Sequence, residues 1–388
     1  MILNKEKLSS IVLSALVAFY FISVFFISST SFDIITPASG IVLSLLSIVA
    51  FSKSFRLSFA QWFLIIALSF FLIWVWLDFL TRSSDEYLLV FVMTYQYGVV
   101  VLVAILGKQL NSKILLGIII SSVLIVFLSM LSTGGILLIR QNSIYQSSVN
   151  QLGAVLALGL GISIWLINYH VSKNDSFYTF TFILISLLLF FSIIFIGSRQ
   201  TFILMLPWLI MLWFLNRKKW LMVGGTILVI TFSLIYFFFS EIYIFQRFYT
   251  FFLIFTNNSY PVDYSTVHRL ELINFASTAW MESPIYGQGI RAFEKLSGFG
   301  HYAHNNYLEM LYNFGLIGFV LFYTPIVFAL FHSIYYIKRY DKNQKKWLAL
   351  LIGCSIFILI QGIFIVDYFR YATWCCIALM SLSLKKAN

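Results

Sequence analysis

Two places in this sequence carry side chains that could bind an anion or activate a hydroxyl, and both adjoin apolar segments. Arg199 stands in the short turn Gly197-Ser198-Arg199 between two apolar segments, where a guanidinium either reaches the membrane interface or faces a polar cavity. His304 and Asn305 come just before another apolar segment, where the unpaired amides and the dipole of a helix N-terminus favour a negative ligand. A neutral histidine can take a proton from a hydroxyl. These residue types predict an anion site beside a proton acceptor; the structural alternatives are an interfacial anchor at Arg199 and a helix cap at Asn305.

Metal binding is the competing use of the histidines. His301 and His304 stand three positions apart, but the helix is expected to begin only after them, and no cysteine or acidic residue has an obvious ligand spacing. The three cysteines, Cys354, Cys375 and Cys376, fall in the last two apolar segments without metal-ligand or disulfide spacing. The sequence also contains no phosphate-binding loop, dinucleotide fingerprint or HExxH motif. We therefore expect no metal and no cofactor.

The rest of the sequence predicts the elements that must position these residues. Hydrophobic residues make up 61% of the 388 and charged residues 10%, far from the composition of soluble domains. An apolar helix of about 20 residues crosses a hydrocarbon core of about 30 Å and satisfies its own backbone amides. The sequence therefore predicts an all-α polytopic membrane protein with about 12 transmembrane helices. The predicted spans are 9–28, 34–52, 60–77, 88–107, 114–132, 152–169, 178–197, 200–215, 220–239, 306–331, 347–366 and 369–384.

The basic residues predict the orientation of these spans. Of the 25 lysines and arginines, 17 fall on one side, so this side and both termini are expected in the cytoplasm. Lysine accounts for 14 of these 17, whereas seven of the eight basic residues on the outer side are arginine, whose planar fork binds phosphate or carboxylate in a bidentate manner. Anchoring at the interface is the alternative for any single arginine. The set predicts an outward cavity for an anionic, phosphate-bearing ligand, and the net charge of +11 reflects topology, with no indication of nucleic acid. The outer arginines are Arg82, Arg140, Arg199, Arg247, Arg269, Arg291 and Arg370.

One long hydrophilic stretch, residues 240–303, interrupts the apolar segments and is expected outside the membrane. Within it, Glu241–Phe255 is typical of an interfacial helix and contains Arg247, and Ser265–Glu282 has the spacing of an amphipathic helix. Pro284 and the glycines after it should end the second helix. No linker separates soluble domains, so residues 1–388 are predicted to form one integral membrane domain, with the long loop lying across its outer surface.

The order of these residues resembles the O-antigen polymerase and O-antigen ligase superfamily of bacterial surface-polysaccharide assembly. The specific part covers about residues 195–320, and elsewhere the likeness is limited to hydropathy and span number. Asn150 is similar to an asparagine that often opens the sixth span of that family. The matching residues are Gly197-Ser198-Arg199, Arg269, Trp280, Pro284, Gly287, Gly289, Ala303-His304-Asn305, Tyr307-Leu308 and Gly315-Leu316-Ile317-Gly318.

The resemblance implies a metal-independent glycosyltransferase that takes a glycan from a polyprenyl diphosphate at the outer leaflet of the bacterial cytoplasmic membrane. The family's arginines would hold the diphosphate and its histidine would assist the acceptor hydroxyl. Expected partners are the lipid-linked saccharide, membrane lipid and a chain-length regulator or another polysaccharide-assembly protein. The resemblance gives a catalytic role to His304, Arg199 and Arg269, and a role in binding the donor diphosphate or substrate to Arg199, Arg269, Arg291, Arg247, Asn305, Asn150 and His301.

The acceptor remains open between several alternatives. We favour a polymerase, which joins lipid-linked repeat units into O-antigen or capsular polysaccharide; a ligase would transfer the glycan to lipid A–core. A lipid-linked oligosaccharide flippase is the non-enzyme alternative, although it would need cations within the spans and here they lie at the outer ends. Cell-wall glycan polymerases are a further option, for which Asp263 is the obvious candidate acid in the long loop.

Overall fold

The computed structural model describes residues 57–82, 86–133, 149–196, 198–216 and 264–387, and the regular elements among them are helices, without strands. The helices are α1 (Phe59–Arg82), α2 (Tyr87–Thr133), α3 (Val149–Val171), α4 (Ser176–Ile196), α5 (Arg199–Ile203), α6 (Leu206–Asn216), α7 (Tyr264–Ala279), α8 (Ala292–Leu296), α9 (Asn306–Tyr336), α10 (Lys342–Phe364) and α11 (Tyr371–Ala387), with a 3-10 turn at Trp280–Glu282. Outside the described residues lie the predicted spans 9–28, 34–52 and 220–239, the predicted helix Glu241–Phe255, Arg140, Arg247 and Asp263.

Five helices in the described part are long and apolar enough to cross a membrane. They correspond to the third, sixth, seventh, tenth and eleventh predicted spans. The prediction of apolar membrane helices is therefore confirmed for this part, while the total of about 12 stays a prediction. The five are Phe59–Arg82, Asn150–Val171, Ser176–Ile194, Asn306–Tyr336 and Lys342–Phe364.

Two predicted boundaries differ from the structure. The spans 88–107 and 114–132 belong to one continuous helix, α2, because the polar residues between them include lysine and glutamine, which are good helix formers, and no proline. The predicted span 200–215 is instead divided into α5 and α6. Pro207 lacks an amide hydrogen and its ring would clash with the preceding turn, so the helix breaks before it and restarts with Pro207 in its first turn.

The chain divides into two compact units, one made of residues up to Ser121 together with those from Arg269, the other of Ser122–His268. In the first unit, α9 packs against α1 and α10, and α10 packs against α11. The ring of Phe71 in α1 lies 5.8 Å from that of Phe314 in α9. The prediction of a single domain stays a prediction.

A second apolar cluster in the first unit lies where α7 and α8 cover the beginning of α9. It confirms the amphipathic helix predicted at Ser265–Glu282, since the apolar face of α7 enters this cluster. Leu272 and Phe293 are fully buried there, and burial of such side chains contributes about 1.5–3 kcal/mol each. The buried members are Leu272, Ala276, Ala279, Ala292, Phe293, Ala303 and Tyr312.

In the second unit, two glycines let α3 pack closely against the segment 198–216. A Cβ atom at Gly153 would overlap the Thr201 side chain, and one at Gly161 would overlap the Trp208 ring. The missing side chains therefore bring the beginning of α3 next to α5. Trp208 is itself buried against this helix, which fixes the direction in which α6 leaves.

Candidate active site

In the first unit, the loop Ser283–Arg291 docks into a break in α9. The break is at Gly315, whose φ of 64° and ψ of −168° interrupt the helical backbone. Carbonyls and amides near the break form hydrogen bonds with the loop instead of within the helix. The four hydrogen bonds run from Gln288 N to Tyr312 O (2.8 Å), Gly289 N to Asn313 O (2.8 Å), Leu316 N to Pro284 O (2.8 Å) and Ile317 N to Ile285 O (3.3 Å).

This docking requires glycine on both sides. Gly287 has φ 74°, and a Cβ atom there would overlap the backbone carbonyl of Asn313. A Cβ atom on Gly315 would overlap the carbonyl of Ile285. The Pro-x-x-Gly-x-Gly stretch and the Gly-Leu-x-Gly stretch are therefore two halves of one backbone contact, which explains why both occur in the chain.

The end of α1 holds the same loop. Asp78 accepts a hydrogen bond from the Ile290 amide (2.8 Å), and Arg82 donates to the Gly287 carbonyl (3.0 Å). Asp78 and Arg82 also form an ion pair of 3.2 Å. The helix continues through both residues, whereas the predicted span ended at residue 77. Arg82 therefore positions the loop by binding the Gly287 carbonyl, in addition to any anchoring role at the membrane interface.

Arg291 lies at the end of the docked loop and binds two carboxylates. Its guanidinium contacts Glu294 at 2.7 Å and Glu86 at 3.0 Å, and Glu86 also contacts Lys295 at 2.9 Å. Burial alone would raise the pKa of Glu86, but the hydrogen bonds from Lys295 and Arg291 outweigh it and hold that pKa below its usual value. The same carboxylates raise the pKa of Arg291, against the effect of its burial. The predicted role of Arg291 in donor binding stays a prediction, and a diphosphate would compete with these two carboxylates.

His304 and Asn305 stand at the start of α9, where the sequence placed them. The Asn305 side chain accepts a hydrogen bond from the Leu308 amide at 3.1 Å and caps the helix, so the structural alternative for Asn305 is confirmed. His304 has a φ of 53° and is half-buried, with its ring 4.4 Å from the Tyr302 ring; His301 is exposed. The left-handed backbone at His304 turns the chain between the loop and the helix.

Glu309 fastens the segment before His304 to α9, a role that the sequence analysis missed. Its carboxylate accepts a hydrogen bond from the Ala303 amide at 2.7 Å and lies 3.5 Å from the Asn313 side-chain amide. Asn313 in turn accepts a hydrogen bond from the Phe293 amide at 2.9 Å. A continuous chain of polar contacts thus joins α8 to the residue preceding His304. The sequence pattern that could have predicted this contact is an acidic residue, Glu309, and an amide residue, Asn313, four positions apart on an otherwise apolar helix.

The connection between α10 and α11 is held to the same end of α9. The Asn306 side chain accepts hydrogen bonds from the amides of Asp367 (2.9 Å) and Tyr368 (3.2 Å). Asp367 is fully buried, and this burial raises the pKa of its carboxyl well above the usual value, with only partial opposition from its own amide, Thr373 and Arg370. Residues 306–309 are therefore a junction for three segments.

In the second unit, Ser198 is held to the beginning of α3. The Ser198 hydroxyl donates a hydrogen bond to the Asn150 side chain at 2.8 Å, which brings these two predicted positions together. Arg199 is the first residue of α5. The structure thus places Asn150 and Arg199 in one unit, and Arg269, Arg291, His301, His304 and Asn305 in the other.

Two residues next to Arg199 were not singled out from the sequence. Gln200 is 4% exposed and Thr201 is 0% exposed. Within the described part of the chain, neither amide atom of Gln200 nor the hydroxyl of Thr201 has a hydrogen-bond partner. Each such buried group costs about 1–3 kcal/mol. Contacts within the described residues therefore do not compensate the free energy that is lost by burying these polar groups.

A family model described as O-antigen ligase matches residues 184–323 of this chain. The match runs from α4 through the Arg199 turn, Arg269, the docked loop and His304 into α9, and it leaves Asn150 outside. No curated protein matches the chain. The resemblance to the O-antigen polymerase and ligase superfamily is therefore confirmed over this part of the sequence.

Proposed function

Because residues 184–323 match the O-antigen ligase family, we propose that this protein transfers a glycan from a polyprenyl diphosphate to an acceptor hydroxyl. The single observation that carries the proposal is that this match contains both the arginine turn at Arg199 and the His304-Asn305 pair at the start of α9. The same interval holds the docked loop that fixes the segment before α9. The reaction takes place at the outer leaflet of the bacterial cytoplasmic membrane, with both termini in the cytoplasm.

In the proposed reaction, the acceptor oxygen forms a bond to the anomeric carbon of the donor sugar. The bond from that carbon to the diphosphate breaks, and the diphosphate leaves with the electron pair on its lipid carrier. His304 takes the proton of the acceptor hydroxyl, a contribution of about 10²–10⁴ in rate. Arg199 and Arg269 bind the diphosphate, whose charge grows as the bond breaks, so these cations stabilise the transition state more than the ground state. No metal takes part in this scheme.

The supporting roles fall to residues around these groups. Arg269 is half-buried on α7, and the apolar face of this helix packs against Phe293 and Tyr312. The helix that carries this arginine is therefore in contact with the beginning of α9. Asn305 caps α9, and His301, which is exposed, would contact substrate from the loop side. Arg247, Arg291 and Asn150 are the further candidates for donor binding. The expected partners are the lipid-linked saccharide, membrane lipid and a chain-length regulator or another assembly protein.

For the acceptor we favour a second lipid-linked repeat unit, which makes the protein a polymerase of O-antigen or capsular polysaccharide. The ligase is the second candidate, because the matching family model is described by that activity. The surface polysaccharide of a strain lacking the protein separates them. A missing polymerase should leave single repeat units on lipid A–core, and a missing ligase should leave long chains on the lipid carrier. Single units trapped on the cytoplasmic side would instead identify a flippase.

Purified protein and a lipid-linked donor test the assignment of His304. His304→Ala should lower turnover by about 10²–10⁴ while donor binding is retained. His301→Ala is the matched control, since it removes the other histidine of the same segment and should have a smaller effect. Near wild-type turnover of His304→Ala, or loss of donor binding alone, would contradict the role as proton acceptor.

At the two positions proposed to bind the diphosphate, lysine should not be able to replace arginine. Arg199→Lys and Arg269→Lys should both impair turnover, because a lysine ammonium cannot reproduce the bidentate fork. If both lysine variants restored full activity while the alanine variants did not, charge alone would suffice and this part of the proposal would be wrong.

A further inference from the structure

His304 has an unusual backbone conformation for its residue type. Its φ of 53° lies in the left-handed region, which residues other than glycine seldom adopt, and its ring lies 4.4 Å from that of Tyr302. Such a conformation costs free energy, so it persists only where neighbouring contacts hold it, and residues of this kind are frequent at active sites. The contacts on either side of His304 therefore indicate what holds this histidine in place.

Glu309 holds the peptide groups on both sides of His304. Its carboxylate accepts a hydrogen bond from the Ala303 amide at 2.7 Å, and its own amide donates to the Asn305 carbonyl at 3.0 Å. The second bond belongs to the first turn of the helix and would be made by any residue at this position, so the side chain contributes the first. Ala303 is fully buried and Glu309 is 2% exposed, which shields this bond from water and strengthens it.

The Glu309 carboxylate is itself fixed by its surroundings. Its other oxygen lies 3.5 Å from the side-chain nitrogen of Asn313, one helical turn further along α9. Asn313 cannot turn its amide over without losing the 2.9 Å hydrogen bond that its side-chain oxygen accepts from the Phe293 amide. The donor nitrogen of Asn313 therefore faces Glu309. With the carboxylate fixed from this side, the length of the glutamate side chain sets the position at which Ala303 is held.

We propose that Glu309 is a positioning residue for His304: its side chain fixes the turn before α9 and thereby directs the imidazole at the acceptor hydroxyl. This assignment rests on the proposed function and adds to it the residue through which α9 orients the proton acceptor. Glu309 takes no proton in this scheme and does not touch substrate. A displacement of about 1 Å at a catalytic group can cost about 10²-fold in rate, so loss of this contact should reduce turnover while donor binding is kept.

Two conservative substitutions separate the hydrogen bond of Glu309 from its charge. Glu309→Gln keeps the length of the side chain and an oxygen that can accept from the Ala303 amide, but it removes the charge. Glu309→Asp keeps the charge and shortens the side chain by one methylene, so the carboxylate withdraws from that amide. A positioning role predicts that the aspartate variant is the more impaired, whereas a role for the charge predicts the opposite.

The first measurement is the kinetics of the purified protein with the lipid-linked repeat unit extracted from a host strain that lacks this protein. The kcat of Glu309→Asp should fall about 10–100-fold and that of Glu309→Gln by about threefold at most, with donor KM within about twofold of wild type. Because the effect acts through His304, the double variant His304→Ala/Glu309→Asp should be no slower than His304→Ala alone. Ile326→Ala is the matched control: Ile326 is fully buried on the same helix, so its truncation should lower Tm and leave kcat unchanged.

The second measurement observes the histidine without turnover. In protein with isotope-labelled histidine, the nuclear magnetic resonance signal of the His304 imidazole is the one of five that His304→Ala lacks. This signal should move in Glu309→Asp and stay in place in Ile326→Ala. The assignment is overturned by an unmoved signal in Glu309→Asp, by a larger loss of kcat in Glu309→Gln than in Glu309→Asp, or by losses that multiply in the double variant. Wild-type turnover by His304→Ala, or no turnover by the wild type, would contradict the proposed function instead, and the imidazole signal would still decide whether Glu309 positions His304.

Discussion

Replacement of Gly315 by alanine should undo the contact between the docked loop and α9. The backbone at Gly315, with φ 64° and ψ −168°, lies in a region that is almost restricted to glycine, and an alanine there costs about 1–3 kcal/mol. The new Cβ atom would also overlap the Ile285 carbonyl, so the loop must move. If two of the four backbone hydrogen bonds are lost, the further cost is about 1–3 kcal/mol. The total destabilisation is therefore about 2–6 kcal/mol.

Thermal unfolding of the purified protein measures this cost. At about 2–4 °C per kcal/mol, the Tm of Gly315→Ala should fall by roughly 10 °C, and limited proteolysis should cleave more readily within Ser283–Arg291. Gly300→Ala is the matched control, because Gly300 has a similar φ of 67° but no atom within 4 Å of its missing Cβ. Gly300→Ala should lower the free energy of unfolding by only about 1–2 kcal/mol, which is the cost of a left-handed backbone conformation for alanine. Equal Tm values for the two variants would refute the docking of the loop as the reason for glycine.

Three further predictions concern charge and topology. Glu86→Gln should lower the free energy of unfolding by about 0.5–1 kcal/mol at neutral pH and low salt, and by less in high salt. Because the pKa of Glu86 is lowered, this loss should vanish as the pH falls through that pKa. A loss that is independent of pH and salt would be inconsistent with an ion pair. Because the pKa of Asp367 is raised, its carboxyl should contribute most to stability in acid, and this contribution should be lost as the pH rises through that pKa. The difference in Tm between wild type and Asp367→Asn should therefore change with pH in this direction. Parallel Tm curves would contradict a carboxyl that is buried in its neutral form. The introduced thiol of Ser265→Cys should react with an impermeant thiol reagent from the periplasmic side only. Reaction from the cytoplasmic side alone would contradict the predicted topology.

Much of the architecture follows from local sequence. Apolar segments of membrane length become helices because a hydrocarbon environment leaves the backbone no other way to pair its amides, and this holds for α1, α3, α4, α9 and α10. The amphipathic spacing of α7 and the cap at Asn305 are equally local, since each depends on residues within a turn or two. The order of motifs also predicted the resemblance to the O-antigen ligase family that the match over residues 184–323 confirms. The boundaries inside α2 and around Pro207 were less well predicted, because polar residues do not by themselves end a helix whereas proline does.

Only the tertiary structure shows which distant residues several of the motif residues contact. Gly287 and Gly315 lie far apart in sequence, and only their contact shows that both serve one docking site and need not touch substrate. In the sequence, Glu309 is an isolated acidic residue on an apolar helix. The structure shows that it accepts a hydrogen bond from the Ala303 amide and so holds the residue before His304. Arg291 binds the carboxylates of Glu86 and Glu294, and nothing in the local sequence indicates the contact with Glu86. Composition and spacing therefore determined that arginines and a histidine stand at the ends of apolar helices, whereas the partners of each side chain depend on contacts between distant segments, which no local pattern encodes.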